Sequence, residues 1–268
     1  MREVLDDSKE LVSISIERRD EETYSAPKQS ANTLFRFFSK PEYLFESLAK
    51  QAMIPRYYGE NVDYLNIGYN QIAYPMVCFC DITVHRLEDH MTLYGKYGIA
   101  FSKVWGIKQG IQPVQYVNKN SVLCKDFSTA FETAIQNEED TPPVNFLLTQ
   151  MLYMKPIEGT MPRGEEVIRK NFTDECEWRF IPNVASINLP QAVTESEIAS
   201  VGVLNSTIND NPQCWLRFNF SDVKYIFLQT EENFDELCAV LDQVVDNEEE
   251  KRKLISKVII WNNAREDF

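Results

Sequence analysis

Residues 174–180 read DECEWRF, with two glutamates and an arginine spaced two apart. Side chains alternate along an extended strand, so Glu175, Glu177 and Arg179 share one side and Cys176, Trp178 and Phe180 the other. The apolar side reads as the one that faces the core. The polar side leaves two chemistries open. Carboxylates about 7 Å apart beside a guanidinium can form a solvated cross-strand ion-pair patch. They can equally supply an active-site carboxylate that Arg179 holds and orients.

A second candidate lies upstream, in MTLYGKYGIAFSKVWG at residues 91–106. Tyr94, Tyr97 and Trp105 stand among Gly95, Gly98 and Gly106. Gly95 reads as the left-handed cap of a helix and Gly98 as a point of close approach on the next strand. Close approach allows either a neighbouring backbone or a flat ligand ring stacked on Tyr94 or Tyr97. The glycine spacing matches neither GxGxxG nor GxxxxGK[ST], which argues against a dinucleotide or P-loop site.

His85 and His90 are the only histidines, five residues apart. On a helix they would point about 140° apart, so they do not make the i,i+4 pair a metal needs. His90 lies beside the Leu87, Met91 and Tyr94 face, as a structural histidine or as a ligand or base. The six cysteines contain no CxxC pair, so no zinc framework and no metal site is expected. Nothing resembles a hydrolase nucleophile motif.

The elements that must position these groups read as a mixture without a βαβ rhythm. Strands are expected near 33–38, 74–80, 97–101, 113–117, 176–181, 214–220 and 223–229, with a last one in KVIIW. Helices follow from apolar periodicity at 83–94, 121–137, 144–154, 231–245 and 248–257. Ser39 and Glu42 have capping-box spacing before another helix, and residues 55–70 read as a loop. The fold class is α+β: one domain over 31–268, a mostly antiparallel, twisted sheet with flanking helices. Residues 1–30 read as an arm or linker in which Val12, Ile14 and Ile16 make a short strand.

Charge narrows the function. Against 27 basic residues stand 41 acidic ones, a net charge of -14. That opposes DNA binding through phosphate neutralisation and suits docking to a basic partner. No apolar run can span a bilayer and the N-terminus lacks an apolar h-region, so a cytoplasmic protein is expected.

The segment CFCDITVHRLEDHMTLYGKYGIAFSKVWGIKQGIQPVQYV, followed downstream by ECEWRF, resembles the AbiGi family of bacterial abortive-infection proteins. That resemblance implies phage resistance, with the chain as the antitoxin half of a pair whose toxin is nucleotidyltransferase-like. A looser one links YGKYGIAF to the NAD-pocket strand of poly(ADP-ribose) polymerases. Arg36, Ser102 and then Glu175 and Glu177 are similar in order to the Arg–Ser–Glu-x-Glu of bacterial mono-ADP-ribosyltransferases. It implies an NAD-using transferase or glycohydrolase in which Arg36 pairs with NAD phosphates, Ser102 orients the glutamate strand and Glu177 stabilises an oxocarbenium-like transition state. The inserted Lys-Tyr pair and the solitary Ser102 depart from those patterns. If there is a site, Arg36, Tyr97, Glu175, Glu177 and Arg179 are expected to converge on one cleft, with His90 and Tyr94 at its rim. NAD is the cofactor only on the transferase reading; a cognate toxin or other defence protein is the partner on the first.

Overall fold

The computed structural model describes residues 26–136, 141–163 and 166–267; the strand expected at Val12–Ile16 lies outside them. The fold is α+β, as expected, around a mostly antiparallel nine-stranded sheet. From one edge the strands run Val258–Ile260, Val223–Leu228, Tyr97–Ser102, Thr33–Phe38, Gln71–Cys80, Glu177–Phe180 and Gln112–Pro113. Only the first two pair in parallel along this path.

The long strand Gln71–Cys80 organises the rest. Its sequence QIAYPMVCFC is almost continuously apolar, as a strand covered on both faces must be, and eight of its ten residues are buried. Its first half pairs with Arg56–Asn61 and Val193–Thr194. Its second half pairs with Glu177–Phe180, Glu177 opposite Cys80 and Arg179 opposite Cys78, and meets Thr33–Phe38 at Phe35 and Cys80.

Each sheet face has its own cover. On one face Leu34, Phe79, Ile99 and Phe101 pack against Leu44 and Leu48 of the helix Pro41–Lys50 and Leu237 and Leu241 of the helix Glu232–Val244. Trp105 stacks on Phe101 there, with ring centroids 4.1 Å apart. Each such fully buried side chain contributes about 1.5–3 kcal/mol. On the other face Phe35, Cys80 and Ala100 meet Leu87 and Met91 of the helix Leu87–Tyr94. A further cluster under the helices Val122–Gln136 and Pro142–Leu152 covers the first half of the long strand.

Gly95 does end its helix, but at φ +126° and ψ 165° instead of the left-handed helical values. A Cβ there would stand 1.9 Å from the Phe38 carbonyl oxygen. The adjacent strand passes too close for any side chain, and that contact sets the conformation. At Gly98 the approaching group is internal: an added Cβ would lie 2.7 Å from the Phe37 ring.

Several boundaries differ from expectation for local reasons. The stretch 113–117 breaks at Val114 into Gln112–Pro113 and Gln115–Val117. Only Leu216–Arg217 of 214–220 is strand, between short turns at Pro212–Cys214 and Phe220–Asp222. Residues 55–70 contain the strand Arg56–Asn61, whose polar RYYGEN gives little periodic signal. The helix Pro41–Lys50 has Lys40 as N-cap without a side-chain cap, so the Ser39–Glu42 capping box does not form.

Candidate functional site

The strand carrying DECEWRF begins at Glu177, one residue later than expected. The turn Phe172–Glu175 precedes it, opened by Asn171, whose side chain accepts from the Thr173 N–H at 3.0 Å. Cys176 then takes a left-handed conformation, φ 43° and ψ 49°, and its side chain is exposed. This kink removes Cys176 from the strand's alternation and brings Glu175 and Glu177 to one ammonium. Lys155 donates to Glu175 Oε2 at 2.6 Å and to Glu177 Oε2 at 2.8 Å.

The expected burial of the two faces is reversed here. Glu177 and Arg179 are buried, Arg179 completely, whereas Trp178 and Phe180 are half-buried. The sheet is covered on both sides, so the polar face had to be neutralised internally. Arg179 donates from Nε to Glu177 Oε1 at 2.6 Å, from Nη2 to Oε2 at 3.2 Å, and from Nη1 to the Leu152 carbonyl at 2.8 Å. Its Nη1 also reaches the Tyr74 hydroxyl, and its Nη2 lies 3.3 Å from Glu60 Oε2. Lys170 lies 2.8 Å from Glu175 Oε1 and donates to the Tyr94 hydroxyl at 3.1 Å, while that hydroxyl donates to Glu175. The Glu177 N–H donates to the Tyr116 hydroxyl at 2.8 Å. Three carboxylates, Glu60, Glu175 and Glu177, thus meet three cations, Lys155, Lys170 and Arg179. The ion-pair arrangement of the sequence reading exists, but inside the protein instead of in solvent.

Burial works to raise the Glu177 carboxyl, but Arg179 and Lys155 overcome it and hold it well below the usual carboxylate range. Burial likewise opposes ionisation of Glu175, and Lys155 outweighs it, with hydrogen bonds from Lys155 and Lys170. Burial would lower Lys155, yet Glu60, Glu177 and Glu175 keep it well above the ordinary lysine value. The Tyr94 hydroxyl is pushed up, first by burial and then by Glu175. At neutral pH Glu175, Glu177, Lys155 and Arg179 therefore keep their charges.

His90 borders this cluster. Its ring lies 4.5 Å from that of Tyr94 and 5.9 Å from that of Phe37. Burial, then the nearby Lys170 charge, pushes its imidazole down to about 4, so it is neutral at physiological pH.

Of the residues singled out from the sequence, Glu175, Glu177, Arg179, Tyr94 and His90 come together. Arg36, Tyr97 and Ser102 take other positions. Arg36 sits opposite Ile99, donates to the Cys78 carbonyl at 3.0 Å and lies over the Phe38 ring. Strand alternation puts it on the face away from Glu177. Tyr97, opposite Phe38, packs on that same face, where burial, then Glu236 and Glu42, raise its hydroxyl. The Ser102 hydroxyl caps the helix Lys103–Lys108, accepting from the Trp105 N–H at 3.1 Å.

Sequence reasoning missed Lys155, Lys170, Glu60, Tyr74 and Tyr116. Lys155 did carry a signal: it is a lone charge in MLYMKP, an otherwise apolar stretch, and buried charges are paired. Glu60 and Lys170 lie in polar strands and carried none. Chemically, both oxygens of Glu175 and of Glu177 accept from a cation or a hydroxyl, an arrangement that suits fixed anions. Among the described residues no group of three or more His, Cys, Asp or Glu is placed to hold a metal ion, and no helix is long and apolar enough to cross a membrane.

Residues 51–229, which include the whole cluster, match the family described as "Putative abortive phage resistance protein AbiGi, antitoxin". The chain is 32% identical over 248 residues to "Abortive phage resistance protein AbiGi" of Lactococcus lactis subsp. cremoris, covering 81% of this chain and 100% of that relative. No solved structure matches.

Proposed function

This chain belongs to the AbiGi family of abortive phage resistance proteins, and on that premise we propose that its part in resistance is the antitoxin's: it binds and restrains a second defence protein. The observation that carries the non-catalytic half of this reading is the engagement of both Glu177 oxygens by Arg179 and Lys155 in a buried, charge-balanced cluster. A transferase glutamate must face a developing cation in its substrate; here protein cations occupy that place. Arg36 and Ser102, the other two groups of the transferase pattern, are engaged by a strand carbonyl and a helix N-terminus. The net charge of -14 supports association with a basic partner.

Expression in bacteria, alone and together with the adjoining gene, tests the reading. The antitoxin role predicts that the neighbour's product arrests growth and that this chain relieves the arrest. Growth arrest and NAD loss on expressing this chain alone would replace it with the alternative, an NAD-using ADP-ribosyltransferase-like effector.

A further inference from the structure

Two cysteines come close where the long strand Gln71–Cys80 ends beside the turn that opens Glu177–Phe180. Glu177 stands opposite Cys80. The Glu177 N–H donates to the Tyr116 hydroxyl and its carbonyl accepts from the Val114 N–H, so both point away from Cys80. Glu177 and Cys80 therefore form a non-hydrogen-bonded pair, the narrow kind, with Cα atoms about 4.5 Å apart. One step back along the chain, roughly perpendicular to that spacing, puts the Cα of Cys176 about 6 Å from that of Cys80. The Asp81 N–H donates to the Cys176 carbonyl at 3.0 Å and fixes this register. Disulfides bridge Cα atoms about 4.4–6.8 Å apart.

Regular alternation would send the two side chains to opposite faces. The left-handed conformation of Cys176, φ 43°, breaks that alternation. Both thiols are free. That of Cys176 donates to the Thr173 carbonyl at 3.5 Å and is exposed, whereas Cys80 is buried among Phe35, Leu87 and Met91. Burial raises the Cys80 thiol, and among its neighbours Cys176 then raises it most. Burial also raises Cys176, as do Asp81 and Asp174, against the opposing charges of Arg86 and Lys103. Cys176 is the thiol that a reagent in solution reaches.

We propose that Cys80 and Cys176 are an oxidisable pair, which a small disulfide such as oxidised glutathione joins into a clamp between the turn Phe172–Glu175 and the end of the long strand. The Cys176 thiolate attacks one sulfur of the small disulfide, forming a mixed disulfide and releasing one small thiolate. The Cys80 thiolate then attacks the Cys176 sulfur and releases the second. The two protein sulfurs lose two electrons, the small disulfide gains them, and the two thiol protons end on the released thiols. Cys80 needs no access to solvent, because its attack is intramolecular. The clamped turn is the one that brings Glu175 to Lys155. This pair is independent of the antitoxin reading.

The test treats the reduced full chain with oxidised glutathione at pH 8.5, then counts thiols under denaturing conditions and maps the peptides without reduction. Of the six thiols, two are expected to disappear, in a single linkage joining Cys80 to Cys176. The melting temperature is expected to rise by about 5 °C and to return on reduction. Cys176→Ser, at an exposed position, should keep all its remaining thiols under the same treatment. Cys80→Ala should stop at a stable glutathione adduct on Cys176. An unaltered chain that loses no thiol, or that keeps glutathione on Cys176, overturns the inference. So does a linkage of Cys176 to a second copy or of Cys80 to any other cysteine, and so does a Cys80–Cys176 linkage that leaves the melting temperature unchanged or lowers it. Loss of two thiols from Cys176→Ser would equally overturn it, and that variant needs no change in the buried core.

Discussion

Arg179 Nε lies 2.6 Å from Glu177 Oε1, two residues away on one strand, and both side chains are buried. A buried pair adds little over a well-packed apolar substitute, but breaking it strands a charge. Arg179→Met should therefore cost about 3–5 kcal/mol, read as a lower denaturation midpoint. Arg179→Lys should recover only part of this, since an ammonium cannot grip both Glu177 oxygens while reaching Tyr74 and Leu152. A midpoint unchanged by Arg179→Met would mean that the charges are solvated.

The carboxylates set the acid limit. Glu175 and Glu177 are held below their unfolded values. Their stabilisation is then complete above about pH 4.3, the ordinary glutamate value, and is lost as pH falls through the depressed native values. His90 adds a window above this. Its native value of about 4 lies below its unfolded 6.5. Between these the unfolded chain binds a proton that the native one refuses, so stability is lost as pH falls, by up to about 1.4 kcal/mol per unit. In urea titrations between pH 4 and 7, His90→Phe should flatten that slope while leaving the steeper acid loss.

Glycine positions give a steric prediction. A Cβ on Gly95 would overlap the Phe38 carbonyl at 1.9 Å and hold a φ of +126°. Gly95→Ala should cost at least the roughly 1–3 kcal/mol of backbone strain alone, measured as a lower melting temperature. Gly98→Val would press on the buried Phe37 ring, itself packed on Phe35, His90 and Phe227, and on the Arg36 carbonyl, but with no left-handed backbone to hold. It should lower the melting temperature less than Gly95→Ala, with phage protection following the amount of folded protein.

Trp178 is half-buried, with Lys103 Nζ 5.5 Å from the centre of its ring. Trp178→Ala should cost about 2 kcal/mol, below the roughly 3–5 kcal/mol of a fully buried aromatic. Retention of soluble, cooperative unfolding would bear out the partial burial.

Much of the sheet was legible because its strands carry strong patterns. TLFRFF at Thr33–Phe38 and VKYIFL at Val223–Leu228 need no tertiary context to read as strands. The polar strands Arg56–Asn61 and Glu166–Asn171 were silent, since pairing alone makes them strands. Of the site, the Glu-x-Glu-x-Arg spacing correctly put Glu177 and Arg179 on one face. It could not tell which face is the more deeply buried: DECEWRF is equally compatible with polar-out and with polar-in plus neutralisation. The deciding residues, Lys155 and Lys170, arrive from 20 and 5 positions upstream of Glu175. Arg36 and Ser102 were grouped with the glutamates by order along the chain, and order does not determine which sheet face a side chain takes.

On the antitoxin reading Glu177 holds the fold together and takes no part in a reaction. Phage plating efficiency on cells carrying Glu177→Gln together with Lys155→Met tests it most directly, because this pair removes the carboxylate while keeping the cluster neutral. With folded protein quantified in the same cells, protection is expected in proportion to the folded amount. Protection abolished at an undiminished level of folded protein would contradict it and make Glu177 a catalytic residue.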